Sequence, residues 1–134
     1  MKKNKIKIVA EAGCNHNGNI NLAFKLVDAA KKAKVDAVKF QTFTADQTVT
    51  RLAKKANYAK SVTKKNQSQY EMQKTLELTE QEHILLKKYC QKKKIEFLSS
   101  AFDVEGLIFL QKLKVKRSIN SGLNLQPIGI QACV

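Results

Sequence analysis

Ile8-Val9-Ala10-Glu11-Ala12-Gly13-Cys14-Asn15-His16-Asn17-Gly18 is an apolar run that stops at a carboxylate and breaks into a loop of glycine, asparagine and histidine. The run from Ile6 to Ala12 is too short for a helix and rich in β-branched residues, which predicts a buried strand. Gly13 and the Asn17-Gly18 pair permit the positive φ angles of a tight loop. Glu11 therefore sits where strand gives way to loop. A carboxylate there is costly to desolvate without a partner, so it should face water or a polar pocket. It is the first candidate for function.

Moving outward, Asn21 can cap a helix with Leu22, Leu26, Ala29, Ala30 and Ala33 on one face. Asp36-Ala37-Val38-Lys39-Phe40-Gln41 reads as a second strand, and alternation puts Lys39 and Gln41 on a common face. From Thr42 to about Gln67 no strong periodicity appears, and a connection of that length is usually functional or mobile. Thr79-Glu80-Gln81-Glu82 is a capping box, worth about 1 kcal/mol, that opens a helix with Leu85, Leu86, Tyr89 and Cys90 inward. Ile95 to Ser100 is a third strand ending in hydroxyls, and Asp103 can cap a helix burying Leu107, Ile108, Leu110 and Leu113. Val115 to Ile119 is a weak fourth strand.

Strand and helix alternate with no hairpin turn signal, so the sheet should be parallel. Each convincing strand carries its polar residues at its C-terminal end, which in a parallel (β/α) barrel is where the loops build the site. A full barrel takes about 250 residues, and this chain has 134. The expected fold class is therefore α/β, the N-terminal half of a parallel TIM-type (β/α) barrel over residues 1–117, with a divergent, irregular tail over 118–134.

The chain is 43% hydrophobic and 27% charged, the composition of a globular protein and not of a disordered one. No apolar run approaches the roughly 20 residues of a membrane helix, and the basic start lacks the apolar segment of a signal peptide. A cytoplasmic protein without membrane partners is expected. Cys14, Cys90 and Cys133 are odd in number and widely spaced, which argues against a disulfide framework or a zinc site. Cys14 reads as a small packing residue. The formal charge of +14 invites a nucleic-acid reading. Against it, the lysines fall on helix faces opposite the apolar residues and no nucleic-acid motif accompanies them. That potential would still help collect a small anion.

Ala10 to Gly18, Val38-Lys39-Phe40-Gln41-Thr42 and Phe97-Leu98-Ser99-Ser100-Ala101-Phe102-Asp103 together closely resemble the bacterial sialic acid synthases, the N-acetylneuraminate synthase family that includes legionaminate and pseudaminate synthases. The resemblance covers roughly residues 5 to 117. It implies a (β/α) barrel that condenses phosphoenolpyruvate with N-acetylmannosamine or a related N-acetylated amino sugar, releases phosphate, uses a divalent manganese or magnesium ion, and works as a homodimer. Carried over by position, Glu11 resembles the glutamate near the sugar and the condensing carbons, and Gln41 the glutamine of the same pocket. Lys39 and Ser100 are suitable partners for phosphate or carboxylate, and Asn57 matches, through a loosely aligned loop, an asparagine that reaches the sugar. His16 reads as a loop-stabilising residue and His83 as a surface one.

After Arg117 the pattern departs. Family members continue with a strand of the type Phe-Lys-Ile-Pro-Ser-Gly-Glu, whereas here Ser118-Ile119-Asn120-Ser121-Gly122 keeps only Ser-Gly. The later strands, with the histidines expected to bind metal, are not found. The resemblance therefore implies a truncated or frameshifted, inactive fragment without metal ligands. The alternative from another class is a non-catalytic binding or interaction module with a basic surface.

Overall fold

The computed structural model describes residues 6–51 and 67–115 and the backbone strand at 118–120. Strand β1 (Val9–Gly13) leads through a tight loop to helix α1 (Ile20–Lys32), and β2 (Ala37–Thr42) follows. Two short helices come next, α2 (Ala45–Thr48) and α3 (Gln69–Lys74), then the long α4 (Glu80–Lys92). Strand β3 (Glu96–Ala101), α5 (Val104–Lys112) and β4 (Ser118–Asn120) complete the order.

All paired strands are parallel and lie in the order β1-β2-β3-β4, each beside its neighbour in sequence. A doubly wound sheet reverses its strand order at a switch point; here the winding continues in one direction, as in the opening strands of a (β/α) barrel. The register aligns Glu11 with Lys39 and Lys39 with Leu98, and Gln41 with Ser100. An irregularity between Glu11 and Gly13 bends the end of β1. Gly13 has φ +52°, a conformation that costs glycine little.

One face of the sheet packs on the helices. Val38, Phe40 and Phe97 meet Ala23, Val27 and Ala30 of α1 and Leu86 and Cys90 of α4 in one buried cluster. Phe40 and Phe97 stack at 5.9 Å between ring centroids. A second cluster joins Ala101 to Leu107, Phe109 and Leu110 of α5.

Several local expectations are corrected. Asn19, not Asn21, caps α1, its side chain accepting from the amides of Asn21 and Leu22. The buried line of α1 is Ala23, Val27 and Ala30: of the expected stripe Ala30 is buried and Leu26 packs on the core, while Ala23 and Val27 replace the others because small side chains let the helix approach the sheet closely. The stretch from Thr42 to Gln67 contains α2, and α3, opened by a capping box of Ser68 and Glu71, follows directly after it. Those helices are too short for hydrophobic periodicity to reveal. On α5 the inward residue is Phe109, and Ile108 is exposed. The fourth strand is Ser118–Asn120, shifted from the expected Val115 to Ile119, and it falls directly beyond the boundary drawn at 117. The expected Thr79–Glu82 capping box is present.

His83 is the largest correction. Its charged neighbours predict a surface position, and it is 2% exposed. His83, Leu86 and Cys90 recur at helical spacing and form the buried line of α4, while Leu85, expected inside, is 50% exposed. Burial is tolerable because both ring nitrogens have partners, the Thr42 hydroxyl and the Thr79 carbonyl, each at 3.0 Å.

Candidate functional site

Glu11, Lys39, Gln41 and Ser100 come together on the sheet face turned away from the helices. Register makes Glu11 and Lys39 neighbours and sets Gln41 beside Ser100, two residues further along the same alternation. The C-terminal strand ends thus gather an acid, a base, an amide and a hydroxyl on one surface. Asn57, the other expected site residue, lies outside the described residues.

Glu11 Oε2 and Lys39 Nζ form an ion pair at 2.7 Å, with 53% of the glutamate side chain and 23% of the lysine side chain exposed. A pair that open to water contributes about 0–1 kcal/mol. Lys39 can therefore be shared with, or turned toward, an incoming anion at little cost. A Cβ at Gly13 would stand 3.5 Å from Glu11 Oε1 and 3.7 Å from Gln41 Nε2. The bare glycine thus sits between the two polar groups.

Sequence reasoning gave Cys14 only a packing role, and the structure adds a second. Its thiol donates to Gln41 Oε1 at 3.0 Å. Burial, and then the charge of Glu11, push the Cys14 thiol up to about 11. The sulfur stays protonated at neutral pH, a donor and not a nucleophile. With its oxygen engaged, Gln41 is left to present its amide protons. Strict alternation would put Cys14 on the helix side with Ala12, and the irregularity between Glu11 and Gly13 is what brings it to Gln41, so no sequence pattern signals the contact.

Ser100 is 2% exposed and its hydroxyl has no hydrogen-bond partner among the described residues. Buried polar atoms are seldom left unpaired; His16 Nε2, Thr44 Oγ1 and Gln69 Oε1 share this status, and Ser100 differs in lying beside Gln41 at a strand end. His16 behaves as the loop-stabilising residue expected of it: it is 1% exposed and its Nδ1 accepts from the Gly18 amide at 3.0 Å. Gly18 has φ +69°, and a Cβ there would lie 2.1 Å from the Thr75 carbonyl oxygen. The loop after β1 is thus seated against the segment that follows α3.

A cavity of about 440 Å³ lies elsewhere, at the opposite end of β3, lined by Lys7, Lys94, Glu96 and Lys114 among others. It shares no residue with the strand-end cluster. Its size carries less weight than the convergence of complementary groups.

Comparison with known proteins defines the class. The NeuB family model matches residues 26–125, and the chain belongs to the NeuB family. It is 50% identical over 110 residues to the N,N'-diacetyllegionaminic acid synthase of Legionella pneumophila, the match covering 82% of this chain and 31% of that protein. It is 43% identical over 112 residues to the enzyme of the same name from Campylobacter jejuni, covering 84% of this chain and 34% of that one. Among solved structures, the N-acetylneuraminic acid (sialic acid) synthetase of Leptospira borgpetersenii, in complex with citrate, superposes with a TM-score of 0.65 at 32% identity, covering 86% of this chain and 35% of the other. The chain spans about a third of the length of these relatives.

Proposed function

We propose that this chain carries the phosphoenolpyruvate-facing and sugar-facing strand ends of a nonulosonate synthase, a transferase joining phosphoenolpyruvate to an N-acetylated amino sugar. Membership of the family and names of the relatives support the reaction class. The observation that carries the site is the convergence of Glu11, Lys39, Gln41 and Ser100 on one face, with the Ser100 hydroxyl buried and unpartnered among the described residues.

In this reading Lys39 Nζ and Ser100 Oγ hold the phosphate or carboxylate of phosphoenolpyruvate, a charge-assisted hydrogen bond contributing about 1.5–3 kcal/mol. Glu11 accepts from sugar hydroxyls, and Gln41 donates through the amide that Cys14 orients. The barrel part extends past the expected boundary at 117, because β4 pairs with β3 in the same sheet. A divalent manganese or magnesium ion, expected from the family, does not fit the described residues. No group of three His, Cys, Asp or Glu is placed there to hold one. His16 Nδ1 and both nitrogens of His83 are engaged, and His16 Nε2, unpartnered among the described residues, belongs to no such group. In this reading the chain alone does not complete the condensation.

Calorimetric titration of phosphoenolpyruvate at low salt tests the site. The wild type should bind weakly, and Lys39→Ala should bind at least about tenfold more weakly, the loss of one charge-assisted bond. Equal binding by both would remove Lys39 from the site and assign the signal to diffuse positive charge.

A further inference from the structure

The helix-facing side of the same strand ends carries a buried polar chain with no role in the reading above. Thr42 follows Gln41, and Ser99 precedes Ser100, so both point away from the candidate site. Their hydroxyls lie 2.7 Å apart, and Thr42 Oγ1 lies 3.0 Å from His83 Nε2. His83 Nδ1 is 3.0 Å from the carbonyl of Thr79, the capping residue of α4. Thr42, Ser99 and His83 are all buried.

The Thr79 carbonyl anchors one end of this chain, and the Gln41 backbone also lies within hydrogen-bond reach of the ring. A carbonyl oxygen can only accept, so Nδ1 must carry the proton that bonds Thr79. Burial favours the neutral ring, held below the ordinary histidine range mainly by desolvation. Neutral imidazole has one N–H, so Nε2 accepts and the Thr42 hydroxyl donates to it. Thr42 has spent its only proton and must accept from Ser99. The order is Ser99 O–H to Thr42 O–H to His83 Nε2, then His83 Nδ1–H to Thr79 carbonyl. Phe109 meets the ring edge-on at 5.7 Å.

We infer that His83, through Thr42 and Ser99, is a positioning residue that locks the ends of β2 and β3 together, so that Gln41 and Ser100 are presented in fixed register on the opposite face. The geometry favours this over simple core filling. An apolar pair would fill the same space, yet here two hydroxyls on adjacent strands are joined to a histidine that is itself anchored on the helix cap. The link crosses from α4 to both site-bearing strands. Its failure would loosen the two strand ends selectively, because α1 and β1 make no bond to it. The inference rests on the proposed site only in taking Gln41 and Ser100 as its members.

The test is made on ligand-free protein, so it is independent of whether phosphoenolpyruvate binds. Nitrogen-15 spectra of the imidazoles should show His83 neutral at pH 7 with the proton on Nδ1. In Thr42→Val, which preserves volume and removes the hydroxyl, amide exchange at Gln41, Ser100 and Ala101 should rise roughly tenfold or more, the side-chain amide resonances of Gln41 should move, and α1 amides should keep their rates. Thr42→Ser should restore both signals, and Ser99→Ala should give a smaller local effect. A proton on Nε2 in the wild type, no change at the strand ends in Thr42→Val, or equal acceleration throughout α1 and β1 would overturn the inference. In the last case the network would contribute general stability only.

Discussion

Glycine 18 shows how one missing atom can fix a loop. Its φ of +69° and the Thr75 carbonyl 2.1 Å from the place a Cβ would take exclude any side chain without movement. Gly18→Ala should destabilise the chain by about 1–3 kcal/mol, overpacking and backbone strain together. A urea midpoint unchanged from wild type would show that the loop relaxes freely. The two histidines give a pH prediction. His16 and His83 are both held below the ordinary value of 6.5, chiefly by burial; His83 adds to the shift of His16 and Glu82 opposes it, while the Thr79 and Gln41 backbone and then Glu82 and Glu80 partly oppose that of His83. As pH falls through 6.5 the unfolded chain takes up these protons before the folded one does. Stability is therefore full above that value and drains below it, before Asp28 and Asp46, whose pKa values lie below 3.8, begin to titrate. Urea midpoints at pH 7.5 and 5.5 should fall in that order; a level midpoint would mean the imidazoles accept protons without cost.

Elements differ in how plainly the sequence announces them. The Thr79–Glu82 capping box names both its partners, and Thr79→Ala should cost about 1 kcal/mol. Leu86→Ala, at a fully buried position under the sheet, should cost about 2–5 kcal/mol. Thermal unfolding of the two variants checks that order, and a reversal would mean the α4 core collapses around the gap. Strands β1 to β3 were legible because each couples an apolar run to polar residues at its C-terminal end. Their alternation also placed Lys39 with Gln41 correctly. The start of α1 was displaced because Asn19 and Asn21 are equally good caps by composition, and only the chain path after Gly18 chooses between them. His83 was misplaced because Lys and Glu neighbours disguise a buried line that runs through Leu86 and Cys90. Its strand partner Thr42 lies 41 residues away and is bonded in turn to Ser99 of the next strand, and no local pattern reports either. The pairing of Glu11 with Lys39 likewise needed the register.

At the scale of the whole molecule, the sheet has one helix-covered face and, among the described residues, no strand paired on the outer side of β1. Ile6, Ile8 and Val9 stand exposed along that border. No described helix is long and apolar enough to cross a membrane. Exposed strand edges with apolar side chains recruit further strands unless charge or proline blunts them. Sedimentation of the purified chain should therefore show concentration-dependent association, reduced in Ile8→Lys. A wild type that stays monomeric throughout would show that the edge is protected. Such association need not disturb the strand-end cluster, which lies at the other end of β1.

That cluster is tested most directly by mapping amide chemical shifts as phosphoenolpyruvate is added at low salt, with inorganic phosphate in parallel. Binding at the strand ends predicts shifts concentrated at Lys39, Gln41 and Ser100 and their immediate neighbours. Shifts spread over the lysine-bearing faces of α1 and α4, or gathered around Lys7, Lys94 and Lys114 at the opposite end of β3, would contradict the assignment of the site.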